Sequence, residues 1–363
     1  MKKILFIIIT LVLSQDYPDL GSDNSLDFVT WNIEWFPKND EVTVEYVTEI
    51  IEQLDLDILA IQELDDRDMF DQMLEALPDY TGYYESSWFA GLAYIYKTET
   101  IEINDIYEIY TTSPYWSAFP RSPMVMDINF MGENYFFINN HFKCCGDGVL
   151  DFNDESDEEK RRYNAINLLK EYIDDNLSYE KVIVLGDLND DIAESYSNNV
   201  FQEILDDSNN YLFADMEIAT GSISNWSYPN WPSHLDHILI TNELFNDLEN
   251  GDIQTIKIDQ YLNGGWSEYD YNISDHRPVF MRLTPDSLLG DVNNDDLINI
   301  LDVVIIVQMI IGDDVPSNNG DFNEDGTINI LDIVLLIEYI IDNWYWALDI
   351  RLNLFFADIK LNY

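Results

Sequence analysis

The strongest constraint on the fold is an alternation, from Leu26 to about Leu283, between short β-rich runs and helix-like stretches. The β-rich runs end in clusters of polar residues, and active sites on sheet scaffolds are usually built at such strand ends. The pattern predicts mixed α and β structure in packed layers. The clearest predicted strands are 26–31, 135–139, 182–185 and 237–241, and the clearest predicted helices are 44–54, 69–77 and 161–176.

Length and composition indicate a globular protein of unusual charge. A chain of 363 residues with a hydrophobic fraction of 47% allows one large domain and one smaller domain. Its 70 acidic and 17 basic residues give a net charge of −53, and such a surface repels polyanions at low ionic strength. This balance argues against tight non-specific binding of nucleic acid in a basic groove. Calcium sites and a saline habitat are two explanations for the excess of acid.

The first residues predict export from the cell. Met1-Lys2-Lys3 precedes an apolar run that extends to Leu13, which is the pattern of a secretory signal. About 10 apolar residues are too few to cross a bilayer, which needs ~20. We therefore expect a signal peptide at residues 1–15, a secreted protein, and no stable membrane insertion after cleavage.

The only cysteines, Cys144 and Cys145, are adjacent in sequence. They cannot join distant segments as a disulfide framework does. A vicinal disulfide and a pair of reduced thiols are both compatible with the sequence.

Six polar segments contain the residues suited to catalysis. Each one alone is weak evidence, because a single Asp-Leu-Asn is usually a turn. All four histidines of the chain nevertheless lie inside these segments, so we expect the segments to form one site. The segments are Thr-Trp-Asn-Ile-Glu-Trp (30–35), Ile-Gln-Glu (61–63), Asn-Asn-His (139–141), Gly-Asp-Leu-Asn (186–189), Ser-His-Leu-Asp-His (233–237) and Ser-Asp-His-Arg-Pro (274–278).

These residue types suit the hydrolysis of a phosphodiester. That reaction needs an activated water, neutralisation of charge on the phosphoryl oxygens and assistance to the departing alkoxide. Glu63, with Asn32 and Glu34, offers the hard oxygen ligands that Mg²⁺ or Mn²⁺ prefers. A carboxylate behind His276 would orient its imidazole and raise its basicity.

In order and content the six segments resemble the endonuclease/exonuclease/phosphatase superfamily, which includes deoxyribonuclease I, apurinic-site endonucleases, sphingomyelinases and inositol-polyphosphate phosphatases. The resemblance covers residues 26–283. It implies an α+β fold, a four-layer α/β/β/α sandwich of two mainly antiparallel sheets with helices outside. The motif set is specific for the superfamily and poorly specific for the substrate.

The resemblance also implies roles for individual residues. Asp236 is expected to pair with His276, and Asp187 with Asn189 to position the attacking water and the phosphate. His141 matches a histidine of the deoxyribonuclease-like branch that acts as general acid or phosphate ligand. Phosphate contacts are expected from Arg121 and Asn139, and metal contacts from Asn32, Glu34, Glu63 and Asp275.

Other residues near these segments have no clear counterpart in the family pattern. His234 and His237 are expected only to line the pocket. Trp226, Tyr228 and Trp231 are either stacking platforms for a base or sugar, or ordinary core aromatics.

After a composition shift at residues 284–289, a duplicated motif begins at Gly290 and again at Gly320. Each copy is followed by an apolar helix, 303–311 and 333–341, which we expect to pack against its twin. Both copies place oxygen-bearing groups at the ligand positions of a calcium loop, with position 7 using its backbone carbonyl. The predicted Ca²⁺ ligands are Asp291, Asn293, Asp295, Leu297, Asn299 and Asp302, and then Asp321, Asn323, Asp325, Thr327, Asn329 and Asp332.

This duplicated loop and helix resembles a type I dockerin, a small all-α calcium-binding domain, here at residues 290–342. The resemblance implies a cohesin-like partner on a scaffold protein and an extracellular or cell-surface location. Asp296 replaces the usual glycine of loop one. Positions 10 and 11, commonly polar in dockerins, are Ile-Leu in both copies. Either the partner surface is apolar or the module packs within its own chain. No role is predicted for residues 343–363.

Three functions are compatible with the sequence. The first is a secreted endonuclease that hydrolyses DNA, RNA or both with Mg²⁺ or Mn²⁺. The second is a sphingomyelinase-like lipid phosphodiesterase, because the same site residues serve both substrates. The third is a non-catalytic, calcium-dependent scaffold or adhesion protein built on a nuclease fold.

Overall fold

The computed structural model describes residues 17–341 except 23, 85–89, 286–288, 294–296, 313–317 and 324. The predicted signal peptide at 1–15, the loop residues Asp295 and Asp296, and the tail at 343–363 therefore lie outside the described residues. The chain divides into two compact units. The first extends to Thr284 apart from residues 131–133, and the second includes the C-terminal residues from Pro285 onward.

Two six-stranded mixed sheets form the centre of the first unit. One sheet has the strand order β11-β12-β1-β2-β4-β3 and the other β5-β6-β7-β8-β10-β9. Each contains one parallel pair, β1 with β2 and β7 with β8. The strands are β1 Leu26–Phe36, β2 Ile58–Leu64, β3 Tyr80–Tyr84, β4 Gly91–Lys97, β5 Glu102–Glu108, β6 Met124–Phe130, β7 Glu133–His141, β8 Lys181–Asp187, β9 Tyr211–Phe213, β10 Asp236–Thr241, β11 Asp252–Thr255 and β12 Val279–Leu283.

Helices flank these sheets, which confirms the predicted sandwich. In α1 (Asp40–Leu54) the buried positions include Val47, Ile50, Ile51 and Leu54, spaced by three or four residues so that one face meets the core. The longest helix, α3 (Glu158–Asn176), is capped by Asp157, whose side chain accepts from the Lys160 N–H. The remaining helices of this unit are α2 Arg67–Glu75, α4 Gln202–Leu205, α5 Met216–Ala219, α6 Phe245–Glu249 and α7 Trp266–Asn272.

Apolar side chains form a separate core on the outer side of each sheet, one under α1 and α2 and the other under α3. Between the sheets, Phe28 and Phe137 pack edge to face with their ring centroids 5.0 Å apart. The predicted strands lie within the observed ones, and so do the predicted helices except the one at 69–77, because α2 ends at Glu75. Elsewhere the observed ends extend by a few residues, because caps and flanking polar residues also take regular conformations.

A polar seam crosses the inter-sheet core at Asn139. Its amide Nδ2 donates to the backbone carbonyls of Ile61 and Ala93, each at 3.0 Å, and its Oδ1 accepts from Gln62 Nε2 at 2.8 Å. Asn139 is completely buried. Its polar atoms are thus used to join the two sheets, and the structure does not bring Asn139 into a position to contact phosphate, contrary to the expectation from sequence.

The second unit contains α8 (Ile300–Ile311) and α9 (residues 330–341). Val303 and Ile306 on α8 share one apolar cluster with Ile333 and Leu336 on α9, so the duplicated helices pack against each other as expected. Asn299 and Asp302 form a capping box at the start of α8. Among the described helices of the whole chain, none combines the length and hydropathy that a membrane span requires.

Replacing Asn139 with leucine tests the polar seam. The Asn139→Leu variant removes the side-chain donor to two buried carbonyls and one acceptor of the Gln62 amide, so we expect the free energy of unfolding to fall by about 3 kcal/mol. Urea unfolding should show a lower midpoint with an unchanged slope. The exposed Asn209→Leu is the control, with a change of about 0.5 kcal/mol or less. Equal midpoints for the two variants would contradict the seam.

Candidate active site

The catalytic candidates meet where the strands β1, β2, β7 and β8 end. Because β1 and β2 are parallel and β7 and β8 are parallel, the carboxyl ends of each pair lie side by side. A pocket of about 510 Å³ opens there. Of the predicted site residues, its wall contains Glu34, Glu63, His141, Asp187, Asn189, Asp275 and His276.

The backbone around this pocket is unusually strained. Glu63 has φ 65° and Asn189 has φ 57°, values in the left-handed region that non-glycine residues rarely adopt. Gly186 has φ 142°, and a Cβ there would lie 1.9 Å from the carbonyl oxygen of Asn140. The chain therefore needs glycine immediately before Asp187, and this close approach carries Asp187 to the floor of the pocket.

Asp236, His276 and Asp187 form a line of buried polar groups. His276 Nδ1 lies 2.7 Å from Asp236 Oδ2, and His276 Nε2 lies 3.9 Å from Asp187 Oδ2. A backbone N–H to hydroxyl bond from His276 to Ser274, at 2.9 Å, fixes the start of this segment. The expected pairing of Asp236 with His276 is thus present, with the second ring nitrogen facing the pocket.

Burial and mutual charge shift the protonation of this line. Burial raises the pKa of Asp187 to about 7; nearby Asp236 and Glu63 raise it as well, while His276 opposes them. Burial alone would lower the pKa of His276, but the carboxylates of Asp236 and Asp187 outweigh it and raise that pKa to about 10. At neutral pH His276 is therefore a cation between carboxylates.

Asn32 connects the two halves of the site. Its Nδ2 donates to Glu63 Oε1 at 3.2 Å and to Asp187 Oδ2 at 3.0 Å, so one amide links a carboxylate from each sheet. Its Oδ1 accepts from the Glu34 N–H at 3.0 Å. The amide NH₂ rather than the oxygen thus faces the carboxylates, which suits a positioning role for Asn32.

The other two carboxylates predicted to bind metal in this part of the pocket, Glu63 and Glu34, differ in the protein groups that they already contact. Glu63 accepts from the Trp35 N–H at 3.1 Å and still lines the pocket. Glu34 forms an ion pair with Lys38 and accepts from the Asp275 N–H at 2.9 Å. Glu63 is therefore the carboxylate best placed to bind a cation, and the negative charge that gathers around it is what a divalent ion would relieve. Asp236 Oδ1, buried without a hydrogen-bond partner, adds to that uncompensated charge.

His141 completes the polar lining of the pocket, and the charge of Arg121 acts on the same carboxylates. His141 Nε2 lies 3.4 Å from Asp187 Oδ2 and 3.8 Å from Glu63 Oε1. Burial, reinforced by the charges of Arg121 and His276, holds the pKa of His141 well below its usual value, so this ring is neutral. Arg121 donates from Nε to the carbonyl of Ala90 at 3.0 Å, while its charge interacts with Glu63 and Asp187.

Comparison with known proteins agrees with this geometry. Residues 29–276 match the model of the Endonuclease/Exonuclease/phosphatase family. The chain belongs to that family. Residues 289–341 match the Dockerin type I domain. The protein is therefore a hydrolase of phosphodiester bonds with a C-terminal dockerin. Enzymes of this family are metal-dependent, whereas dockerins bind calcium and imply a cohesin partner. No curated protein sequence matches the chain.

Solved structures show the same fold at low sequence identity. TDP2 of D. rerio, complexed with a single-strand DNA product, has 12% identity and a TM-score of 0.55, covering 72% of this chain and 99% of its own. The human Nocturnin catalytic domain with bound sulfate has 15% identity and a TM-score of 0.52, covering 71% and 94%. A mannosyl-6-phosphatase of Bacteroides thetaiotaomicron has 16% identity and a TM-score of 0.50, covering 71% and 98%.

Two histidines of this family member lie away from the pocket, around Asp215, a residue that no sequence motif singled out. Asp215 Oδ2 is 2.5 Å from His237 Nδ1 and 3.0 Å from His234 Nε2, and all three residues are buried. His237 Nε2 faces the carbonyl of Asp190 at 2.8 Å. The prediction that His234 and His237 line the pocket is therefore wrong, because both rings turn inward to Asp215.

This cluster is a buried ion pair and does not suit a metal. Both ring nitrogens of His237 face oxygen acceptors, which requires a proton on each. His234 Nδ1 accepts from the Ser227 N–H at 3.3 Å, so its remaining proton is on Nε2, toward Asp215. Neither histidine offers a free lone pair. The pair instead supports the loop after Asp187, because His237 and Arg162 both bond to Asp190.

The aromatic residues near the site separate into two groups. Tyr228 lies against the His276 ring with centroids 4.8 Å apart, and Trp231 lines the pocket with 78% of its surface exposed. The exposed Trp35 also lines it. Trp226 instead donates to the carbonyl of Ile218 and lies outside the pocket wall.

The dockerin loops share one hydrogen-bond pattern. Asp302 and Asp332 are completely buried, and each accepts backbone N–H groups from its own loop with both carboxylate oxygens. In loop two, Asp321 accepts from Asp325 N and Gly326 N, and Gly326 has φ 84°. The twin carboxylates at position 12 thus close both loops in the same way.

Replacing Asp215 with asparagine tests the buried ion pair. Asp215→Asn retains the acceptor for the Ile238 N–H but leaves His237 without a counterion, which costs about 3–5 kcal/mol. At about 2–4 °C per kcal/mol, the melting temperature should fall by about 6–20 °C.

The loss should depend on pH. Burial opposes the charge of Asp215, but the two histidines lower its pKa. The contribution of ionised Asp215 to stability is therefore present above the ordinary pKa of 3.8 and disappears as pH falls through the lowered pKa. Asp215 raises the pKa of His237 despite burial, so this contribution is complete below 6.5 and disappears as pH rises through the raised pKa. The difference in melting temperature should be largest near pH 5, and a difference that grew toward alkaline pH would contradict the pair.

Proposed function

We propose that this protein is an extracellular, metal-dependent endonuclease that hydrolyses DNA, RNA or both. The observation that carries the proposal is the convergence of Glu63, His141, Asp187 and His276 on one pocket, with Asn32 bonded to a carboxylate of each sheet. Export by the signal at residues 1–15 and attachment to a cohesin-bearing scaffold through the dockerin complete the proposal.

The metal would be Mg²⁺ or Mn²⁺, bound chiefly by Glu63, with Asn32, Glu34 and Asp275 as further polar groups beside it. The oxygen donors fit such a hard cation. When bound, it supplies Lewis-acid neutralisation of the phosphate.

The residues of the chain then have separate tasks. Asp187, helped by Asn189, orients the attacking water and accepts its proton as the water oxygen attaches to phosphorus. The bond from phosphorus to the leaving oxygen breaks, and that oxygen takes a proton from solvent water to leave as an alcohol. Asp236 holds His276 with Nε2 toward the pocket, where the imidazolium stabilises charge on the phosphoryl oxygens. His141 donates a hydrogen bond to phosphate, and Arg121 adds a positive charge behind it.

The rim of the pocket supports a nucleic-acid substrate. Trp231 and Trp35 present exposed rings, and Tyr228 lies beside His276, so bases or sugars next to the scissile phosphate have surfaces on which to stack. TDP2 of D. rerio, which has this fold, was crystallised with single-strand DNA. Stacking also offsets part of the repulsion between a chain of net charge −53 and a polyanion.

Substitution at the proposed catalytic residues tests the reaction. Asp187→Asn and His276→Gln should each lower the rate of plasmid nicking by at least about 10²-fold, because each removes a group that acts on the water or the phosphate. The exposed Asp68→Asn is the matched control. Circular single-stranded DNA, RNA and sphingomyelin should be assayed in parallel, with Mg²⁺, with Mn²⁺ and with EDTA.

The outcomes separate the three functions. Cleavage of circular nucleic acid that EDTA and both variants abolish supports the endonuclease. Release of phosphocholine from sphingomyelin without nicking identifies the lipid phosphodiesterase instead. A protein that hydrolyses no phosphodiester with any metal but binds cohesin is the scaffold. Full activity in either variant overturns the catalytic assignment.

The dockerin offers a second test. We expect Ca²⁺ to raise the melting temperature of the C-terminal unit and to permit cohesin binding, because the ion binds only the folded loops. Ile300, Leu301, Ile330 and Leu331 are each 47% to 68% exposed, which supports an apolar partner surface. Leu301→Ser with Leu331→Ser should therefore abolish binding to a cohesin column and leave the calcium-dependent melt unchanged. A melt that EDTA does not change would contradict calcium binding.

A further inference from the structure

We propose that Asp147, Asp157 and Glu159 form a calcium site in the catalytic unit, separate from both the active site and the dockerin loops. The three carboxylates belong to the loop that leaves β7 after His141 and to the first turn of α3. One oxygen from each lies within 4.8 Å of the others. Two oxygens on opposite sides of a Ca²⁺ ion, each about 2.4 Å from it, span the same distance.

The buried member of the group is the decisive observation. Glu159 is 2% exposed, and its Oε2 is buried without a hydrogen-bond partner. Its Oε1 accepts from the Gly148 N–H at 2.7 Å and lies 3.2 Å from Arg162 Nη2. A buried carboxylate oxygen without a partner is costly, and a cation at the cluster would supply the missing interaction.

The loop is built closely around this carboxylate. A Cβ added at Gly146 would lie 2.2 Å from Glu159 Oε1, so the backbone approaches the carboxylate at a position that only glycine permits. Gly146 has φ 117°, outside the range that side chains favour. Asp157 meanwhile caps α3 through Oδ1, which fixes its carboxylate beside Glu159.

The neighbouring cations are engaged elsewhere as well. Lys160 bonds to Glu155 and to the carbonyl of Phe152. Arg162 lies between Glu159 and Asp190, so its single charge serves two carboxylates. The cluster therefore retains an excess of negative charge, which a divalent ion would neutralise.

The donor set favours Ca²⁺ over other metals. All three groups are carboxylates, which suit hard cations rather than zinc or copper. Mg²⁺ requires compact octahedral geometry, whereas Ca²⁺ accepts irregular sets of oxygens completed by water. Asp147 is exposed, so water has access to that side. The same chain has a dockerin, a domain that binds calcium.

Calcium bound here would stabilise one wall of the active-site pocket. Cys144 and Cys145 lie in that wall and precede Asp147 by only a few residues. Arg162 Nη1 donates to the carbonyls of Lys143 and Cys145, at 2.8 and 2.7 Å, and Arg162 also contacts Glu159. An ion at Glu159 would thus hold the loop on α3 and maintain the wall beside His141.

Equilibrium dialysis with ⁴⁵Ca²⁺ on the full chain, in saturating Mg²⁺ to fill the active site, tests the proposal. The parent should bind one more Ca²⁺ than Glu159→Gln, and Asp147→Asn should weaken that ion by about ten-fold or more. The matched control Glu155→Gln, in the same loop and outside the cluster, should bind as the parent does. The dockerin sites are intact in every variant, so the difference reports only this loop.

Limited proteolysis provides a second measurement that needs no substrate. Ca²⁺ should protect the loop at residues 147–156 from cleavage at the same concentration in the parent and in Glu155→Gln, whereas Asp147→Asn should need about ten-fold more Ca²⁺ or higher for the same protection. Equal stoichiometry and affinity in the parent and Asp147→Asn would overturn the site, as would an equal loss in Glu155→Gln. If Glu159→Gln does not fold, Asp147→Asn decides, because its carboxylate is exposed. Neither measurement uses nuclease activity. The calcium site, whose proposal does not rest on the proposed function, can therefore be confirmed or rejected separately from that function.

Discussion

The inter-sheet hydrogen bonds of Asn139 are the interaction on which the catalytic site depends. Gln62 and Ile61, which Asn139 contacts from the opposite sheet, directly precede Glu63, and Asn139 itself lies two residues before His141. The site takes Glu63 from one sheet and His141 with Asp187 from the other. A polar contact immediately below therefore helps to fix the distance between the two halves.

Above that seam, the site concentrates negative charge in a buried place. Burial raises the pKa of Asp187, and the adjacent carboxylates of Asp236 and Glu63 act in the same direction. His276 and Arg121 neutralise only part of this charge. A pocket with this excess of negative charge attracts cations, which explains in physical terms why the family depends on metal. A bound cation also explains how so acidic a protein can act on a phosphate ester.

The same principle extends beyond the pocket. In the dockerin, Asp302 and Asp332 are buried acceptors that close loops rich in oxygen ligands. In the first turn of α3, Glu159 is buried with one oxygen lacking a partner. By contrast, the imidazolium of His237 neutralises the carboxylate of Asp215, so that cluster needs no metal ion. The structure indicates a metal only where buried carboxylates have too few hydrogen-bond donors or cationic side chains of the protein around them.

The sequence by itself determined the layers, the duplicated loops and the composition of the site. Periodicity is a local property. Segments such as Gly-Asp-Leu-Asn at 186–189, taken together, likewise indicate a catalytic role from their residue types alone. Tertiary structure decided which polar groups face the pocket. Asn139 and His141 are two residues apart on one strand, yet one joins the sheets and the other lines the pocket. Asp215 and Glu159 acquire their roles from partners that fold against them. Burial and contact across sheets are non-local, so no local pattern distinguishes these carboxylates from those in water.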